Sequence, residues 1–205
     1  MIWNLPDGST GATLLLAHGA GAPMDSPFME LLAKSLAAKG LAVARFEFPY
    51  MAQRRTEGRK RPPDRMPQLL ESFRMRCEGI DGPLFIGGKS MGGRVASMVA
   101  DEVKPQGLVC FGYPFHPPGK PEKTRTDHLE TLSTPALILQ GTRDPLGKPD
   151  EVAGYTLSSA IEVHWLESGD HDFKPLRSSG LTQLDLIEAA ALAAVRFCLD
   201  GIKCD

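Results

Sequence analysis

At 205 residues with a hydrophobic fraction of 42%, the chain can build one domain with a full core. A formal charge of −2 gives no global reason for nucleic acid or an acidic membrane surface as partner, and points to a small molecule instead. Cys77, Cys110, Cys198 and Cys204 are scattered, without the close pairs of a zinc site or the density of a disulfide scaffold, so free thiols in a reducing compartment are expected.

The stretch from Met1 to Ser9 has no basic start followed by an apolar run. Nothing after it approaches the roughly 18 uninterrupted apolar residues of a membrane span. A cytoplasmic protein is expected. Apolar runs at Ala12–Ala17, Leu41–Phe48, Leu84–Ile86, Gly107–Phe111, Ala136–Leu139 and Ile161–Leu166 predict strands. Most lack polar alternation, the pattern of parallel strands covered on both faces. Helical periodicity falls between them, at Phe28–Lys39, Met66–Cys77, Ser90–Val103, about Pro149–Ser158, and Leu184–Leu199. Pro49–Arg65 and Gly112–Lys123, rich in Pro with Arg, Lys or Gly, predict loops. With no repeat or composition shift, the alternation predicts a single α/β domain. It would hold a mostly parallel sheet of six to seven strands, helices on both faces, and a site at the carboxyl ends of the strands.

The strand at Leu84–Ile86 runs into Gly87-Gly88-Lys89-Ser90-Met91-Gly92-Gly93 and then a helix. That is the strand–turn–helix setting of a G-x-S-x-G nucleophile elbow, in which Gly88 and Gly92 must be small because two backbones pass beside the turn. The plainer alternative is an ordinary turn with Ser90 as helix N-cap. A serine nucleophile needs a base and a carboxylate to orient it. Asp144 follows one later strand in Gln140-Gly141-Thr142-Arg143-Asp144, and His171 follows the next in Gly169-Asp170-His171-Asp172. Each alone could be a turn or solvated loop residue, but together they have the order Ser, Asp, His of this elbow.

Among the other histidines, His18 in His18-Gly19-Ala20-Gly21 is expected to brace a glycine-rich loop at the site. His164 reads as a packing residue in a strand and His128 as part of a helix face. His116 is the one rival that could reach the pocket. The expected oxyanion donors are the backbone N–H groups of Ala20 and Met91. No metal or organic cofactor is expected.

With these residues assembled, the chain resembles the α/β-hydrolase superfamily over nearly its whole length. More narrowly, it is similar to the small hydrolase-like proteins related to the testis-expressed and NSL-complex subunit 3 families. The segments that carry this are HGAGAPMDSPFM at His18–Met29, GGKSMGGR at Gly87–Arg94, GYPFHPPGKPE at Gly112–Glu122, QGTRD at Gln140–Asp144 and GDHDFK at Gly169–Lys174. The resemblance implies an α/β-hydrolase fold and a triad of Ser90, Asp144 and His171, and implies little about substrate. Many superfamily members insert a lid after the strand preceding Pro114; about 20 residues here leave space only for a loop and short helix, so an open site is expected. Related dienelactone hydrolases carry Cys and dehalogenases Asp as nucleophile, so Ser90 weighs against both chemistries.

The leading expectation is a carboxylesterase or thioesterase, with amide hydrolysis or acyl transfer as variants. Its rival is a non-catalytic interaction module that has kept the fold. Arg54, Arg55, Arg59, Lys60 and Arg61, with Lys89, Arg94 and Arg143, could form a cationic rim for an anionic substrate. Lys89, Arg54, Arg55, His18 and His116 are the candidate substrate contacts. The plainer alternative for the basic run is a solvated loop balanced by Glu47, Glu57 and Asp64.

Overall fold

The computed structural model describes residues 1–8 and 11–200; Ser9 and Cys204, named above, lie outside them. Seven strands form one sheet: β1 Ile2–Asn4, β2 Thr13–Ala17, β3 Ala42–Phe46, β4 Leu84–Lys89, β5 Gly107–Phe111, β6 Ala136–Gly141 and β7 Ile161–Leu166. Their order is β1-β3-β2-β4-β5-β6-β7. Every pairing is parallel except β1 against β3, which is antiparallel. The six expected strands are all present. β1, only three residues long, is too short to leave a periodicity.

Successive strand residues point to opposite faces, and each face has its own core. Leu14, Leu16, Val43, Val109 and Leu139 pack beneath α1 (Pro27–Ala38) and α6 (Gln183–Asp200), where Leu32, Leu36, Ile187 and Ala191 meet them. Leu15, Ala44, Ile86, Leu108 and Ile138 face α3 (Met66–Cys77) and α4 (Met91–Val103), filled by Phe73, Val95 and Val99. Burying one such side chain contributes roughly 1.5–3 kcal/mol. Cys77, Cys110 and Cys198 are free thiols within these cores. No helix among the described residues is long and apolar enough to cross a membrane.

Two segments depart from expectation. The first nine residues of the expected loop at Pro49–Arg65 form α2, Pro49–Glu57. Pro49 supplies the fixed φ of a first helical position, and Gly58, at φ 68°, closes the helix in the left-handed region. The density of Arg and Pro hides this, although Tyr50 and Met51 are buried. In the other direction, the helix expected over Pro149–Ser158 is only α5, Pro149–Val152, before the chain turns away.

Candidate active site

β4 delivers its last residue, Lys89, into the sheet, and the chain reverses at Ser90 to enter α4. Ser90 has φ 51° and ψ −117°, a conformation that costs a non-glycine residue on the order of 1–3 kcal/mol. The surroundings hold it there. Its N–H donates to the Phe111 carbonyl (3.1 Å), and its own carbonyl accepts from the Arg94 N–H (3.0 Å). A Cβ on Gly92 would lie 2.6 Å from the His18 carbonyl oxygen, and one on Gly88 would lie 2.8 Å from that of Ala17. Only glycine lets strand and helix pass so close. Ser90 occupies the N-cap position, yet its hydroxyl makes no capping bond to the helix.

That hydroxyl instead lies 2.8 Å from His171 Nε2, and His171 Nδ1 lies 2.7 Å from Asp144 Oδ2. Since a carboxylate only accepts, Nδ1 carries the proton and Nε2 presents its lone pair to the Ser90 O–H. Asp144 is fully buried on the turn after β6. Its Oδ1 accepts from the Leu146 N–H (2.8 Å), and its Oδ2 accepts a second bond from Gln140 Nε2 (3.0 Å). Residues from the ends of β4, β6 and β7 thus form one hydrogen-bonded chain across a sheet that separates them by 27 and 81 positions in sequence.

The loop after β2 is braced from beneath. His18 is fully buried; its Nε2 accepts from the Phe48 N–H (3.1 Å), so its Nδ1–H donates to the Gly19 carbonyl (2.7 Å). Burial lowers its pKa, favouring this neutral ring. Tyr50 Oη donates to the Ala20 carbonyl (2.9 Å). His18 therefore supports the loop rather than facing a ligand.

Two pockets flank Ser90. One, about 380 Å³, is lined by Gly19, Ala20, Phe28, Met29, Lys89 and His171. The other, about 350 Å³, opens on the Met91 side and includes Arg94, Pro114, Arg125 and Leu146. A larger cavity of about 680 Å³ lies between α2 and α3 and touches none of the Ser90, His171 or Asp144 group. In the first pocket, Lys89 is only 7% exposed, with Nζ 3.6 Å from Asp172 and 5.5 Å from the centre of the Phe28 ring. Burial drives its pKa down to about 8 against the pull of Asp172, Asp144 and Asp170.

Residues 10–199 match the profile of the alpha/beta hydrolase domain. The chain belongs to that family. Among solved structures, it is similar to a lidless α/β serine hydrolase from Xanthomonas campestris (TM-score 0.72, 21% identity, 96% of this chain and 88% of that one). A second likeness is to an α/β serine hydrolase homologue from Coxiella burnetii (TM-score 0.74, 20% identity, 94% and 89%). A third is to a dienelactone hydrolase from Anabaena variabilis (TM-score 0.74, 21% identity, 98% and 91%). At these identities the likenesses show the fold. The connection from β5 to β6 in this alpha/beta hydrolase domain is a loop with one 3₁₀ turn, Asp127–Leu129, and carries no helical cap over Ser90.

Several expected contacts lie elsewhere in this alpha/beta hydrolase domain. His116 is buried, with Nδ1 against the Pro117 carbonyl (2.8 Å) and Nε2 against Glu151 (3.2 Å), and lines neither pocket at Ser90. A carboxylate on α5 captures the ring, which a Pro-rich sequence could not reveal. Arg55 is spent on Glu47 (2.6 Å) and Asp25 (2.7 Å). Arg54 donates to the carbonyl of Gly21, at the edge of the first pocket (3.4 Å), and itself lines neither. Of the expected cationic rim, Arg55, Arg61 and Lys89 pair with carboxylates, Glu47 and Glu57 of the balanced-loop alternative among them, while Arg54 and Arg143 donate to backbone carbonyls. His128 sits on the 3₁₀ turn, and its Nε2 lies 2.8 Å from the Ser97 hydroxyl. Gln140, Tyr50 and Arg125 escaped the sequence reading. Only Gln140 lay inside a motif segment, and nothing there distinguished it from a strand residue.

Proposed function

We propose that this protein is a serine hydrolase that cleaves a carboxylic ester or thioester of a small molecule through an acyl-Ser90 intermediate, with no metal or organic cofactor. The observation that carries the reading is the unbroken chain from Ser90 Oγ through His171 to Asp144, at 2.8 and 2.7 Å. Ser90 Oγ attacks the substrate carbonyl carbon while its proton passes to His171 Nε2. Asp144, buried and tied down by Gln140 and Leu146, holds the ring in the required tautomer and stabilises the imidazolium. His171 then protonates the departing alkoxide or thiolate, the acyl–oxygen or acyl–sulfur bond breaks, and water repeats the sequence to free the acid and Ser90.

The tetrahedral intermediate needs donors for its oxyanion, each worth on the order of 3 kcal/mol. Met91 N–H at the head of α4 is one. Ala20 N–H is the other. C=O and N–H point oppositely across a trans peptide, so tying the Gly19 carbonyl to the His18 ring turns the Ala20 N–H away from that ring. Ala20 itself lines both pockets at Ser90. The three buried thiols suit a reducing, cytoplasmic setting. The kinship with the testis-expressed and NSL-complex subunit 3 group, carried by the motif segments, belongs to the same proposal.

The test is hydrolysis of a para-nitrophenyl ester panel of short to medium acyl chains by wild type and Ser90→Ala, with fluorophosphonate labelling in parallel. Wild type is expected to turn over and to label, and Ser90→Ala to do neither. A wild type that neither labels nor turns over refutes the reading and leaves an interaction module on a hydrolase fold.

A further inference from the structure

Arg94 and Arg125 line the pocket on the Met91 side of Ser90. Three other arginines pair with carboxylates: Arg55 with Glu47 and Asp25, Arg61 with Glu57, and Arg74 with Glu71 and Glu102. Among the described residues, no hydrogen bond or ion pair reaches the guanidinium of either Arg94 or Arg125, and Arg94 Nε is buried without a partner. The one carboxylate lining the same pocket, Asp64, is held through Oδ2 by the Tyr50 N–H (3.0 Å). Two like charges in a half-buried wall cost free energy that an incoming anion would relieve. Burial and the nearby Arg94 charge both lower the pKa of Arg125, in keeping with two like charges lining one pocket.

We infer that Arg94 and Arg125 form a carboxylate subsite for the acyl end of the substrate, so that the preferred ester or thioester is a monoester of a short dicarboxylic acid. The inference rests on Ser90 being the nucleophile. The acyl side follows from where the proton has to go. His171 delivers a proton to the leaving group and lines the opposite pocket, with Lys89 and Phe28, so the leaving group lies there and the acyl chain lies toward Met91. Arg94 stands one helical turn beyond Ser90, roughly 6 Å along the axis of α4. The acyl chain is therefore taken to be short. Met66, Leu69 and Leu146 line the same pocket and would cover its methylene groups. Hydrolysis then releases the free alcohol or thiol and the dicarboxylate.

Three matched esters test this: para-nitrophenyl hexanoate, mono-para-nitrophenyl adipate, and para-carboxyphenyl hexanoate, with spontaneous hydrolysis subtracted. The adipate ester is expected to exceed the hexanoate in kcat/KM by roughly tenfold or more, the scale of a charge-assisted hydrogen bond. That ratio is expected to fall about tenfold in Arg125→Gln and in Arg94→Gln, to recover partly in Arg125→Lys, and to shrink at high salt. Fluorophosphonate labelling of each variant confirms that Ser90 is still presented. Equal treatment of adipate and hexanoate, a preference that survives both glutamine variants, or a preference for para-carboxyphenyl hexanoate overturns the inference while leaving the hydrolase reading intact. Absence of both labelling and turnover in the wild type refutes Ser90 as nucleophile, and the subsite falls with it.

Discussion

Gln140 donates to the same Asp144 oxygen that faces His171, at 3.0 Å, while its own amide oxygen accepts the Tyr113 N–H at 2.7 Å. The Tyr113 bond fixes which end of the amide faces Asp144, so Gln140 serves as a buried positioning residue. Gln140→Leu is expected to lower kcat on a neutral ester about tenfold, with KM little changed and a slower rate of fluorophosphonate labelling. An unchanged kcat would show that Leu146 alone suffices to hold Asp144.

Tyr50 bonds the Ala20 carbonyl from below, and burial raises its phenol pKa, so it remains a donor throughout the working pH range. Tyr50→Phe removes that donor and little else. The expected result is a loss of about 1 kcal/mol in denaturant stability and a several-fold lower kcat. A fall in stability with kcat intact would place the Ala20 loop outside the chemistry.

Lys89 in the folded protein releases its proton near pH 8, whereas in the unfolded, solvated chain it holds the proton to the ordinary lysine value of 10.5. Between those values the unfolded state binds more protons, so stability rises with pH across the window and is lost again as pH falls through 8. Relative to Lys89→Met, in which other titrations cancel, wild type is expected to gain a few kcal/mol between pH 7.5 and 10.5. Parallel curves from urea titrations at those two pH values would mean that Asp172 and its neighbours fully offset the burial.

Gly92 faces two backbone carbonyl oxygens, those of His18 and Ala17, at 2.6 and 2.7 Å from where a Cβ would stand. Neither can swing aside as a side chain can. Gly92→Ala is expected to cost about 3 kcal/mol or more, or to yield no folded protein, by thermal melting. Wild-type stability in this variant would mean that α4 can slide along the sheet.

Ser90, Asp144 and His171 were legible because each follows its strand directly, where a local motif and the strand order suffice to place it. Gln140, Tyr50 and Arg125 were not. Tyr50 acts on a loop 30 positions earlier, Gln140 is defined by contact with Tyr113 across 27 positions, and Arg125 stands out only because it lines a pocket at Ser90 with no carboxylate paired to it among the described residues. The basic residues of α2 show the converse. Sequence displays their charge plainly, but pairing decides whether charge is available, and Glu47 and Asp25 claim Arg55. The fold itself was readable from the strand runs, save for β1, which is too short to register, and α2, whose Pro49 start and Gly58 stop were masked by composition.

Arg125 sits on the connection between β5 and β6, whereas Ser90, Asp144 and His171 hang from β4, β6 and β7. On the proposed reading, one arm of the carboxylate subsite is thus carried apart from the hydrogen-bonded chain, while the other, Arg94, shares α4 with Ser90. Substitution at Arg125 would then retune the acyl preference without touching the elements that hold Ser90, whereas substitution at Arg94 falls within the helix that the strained turn opens.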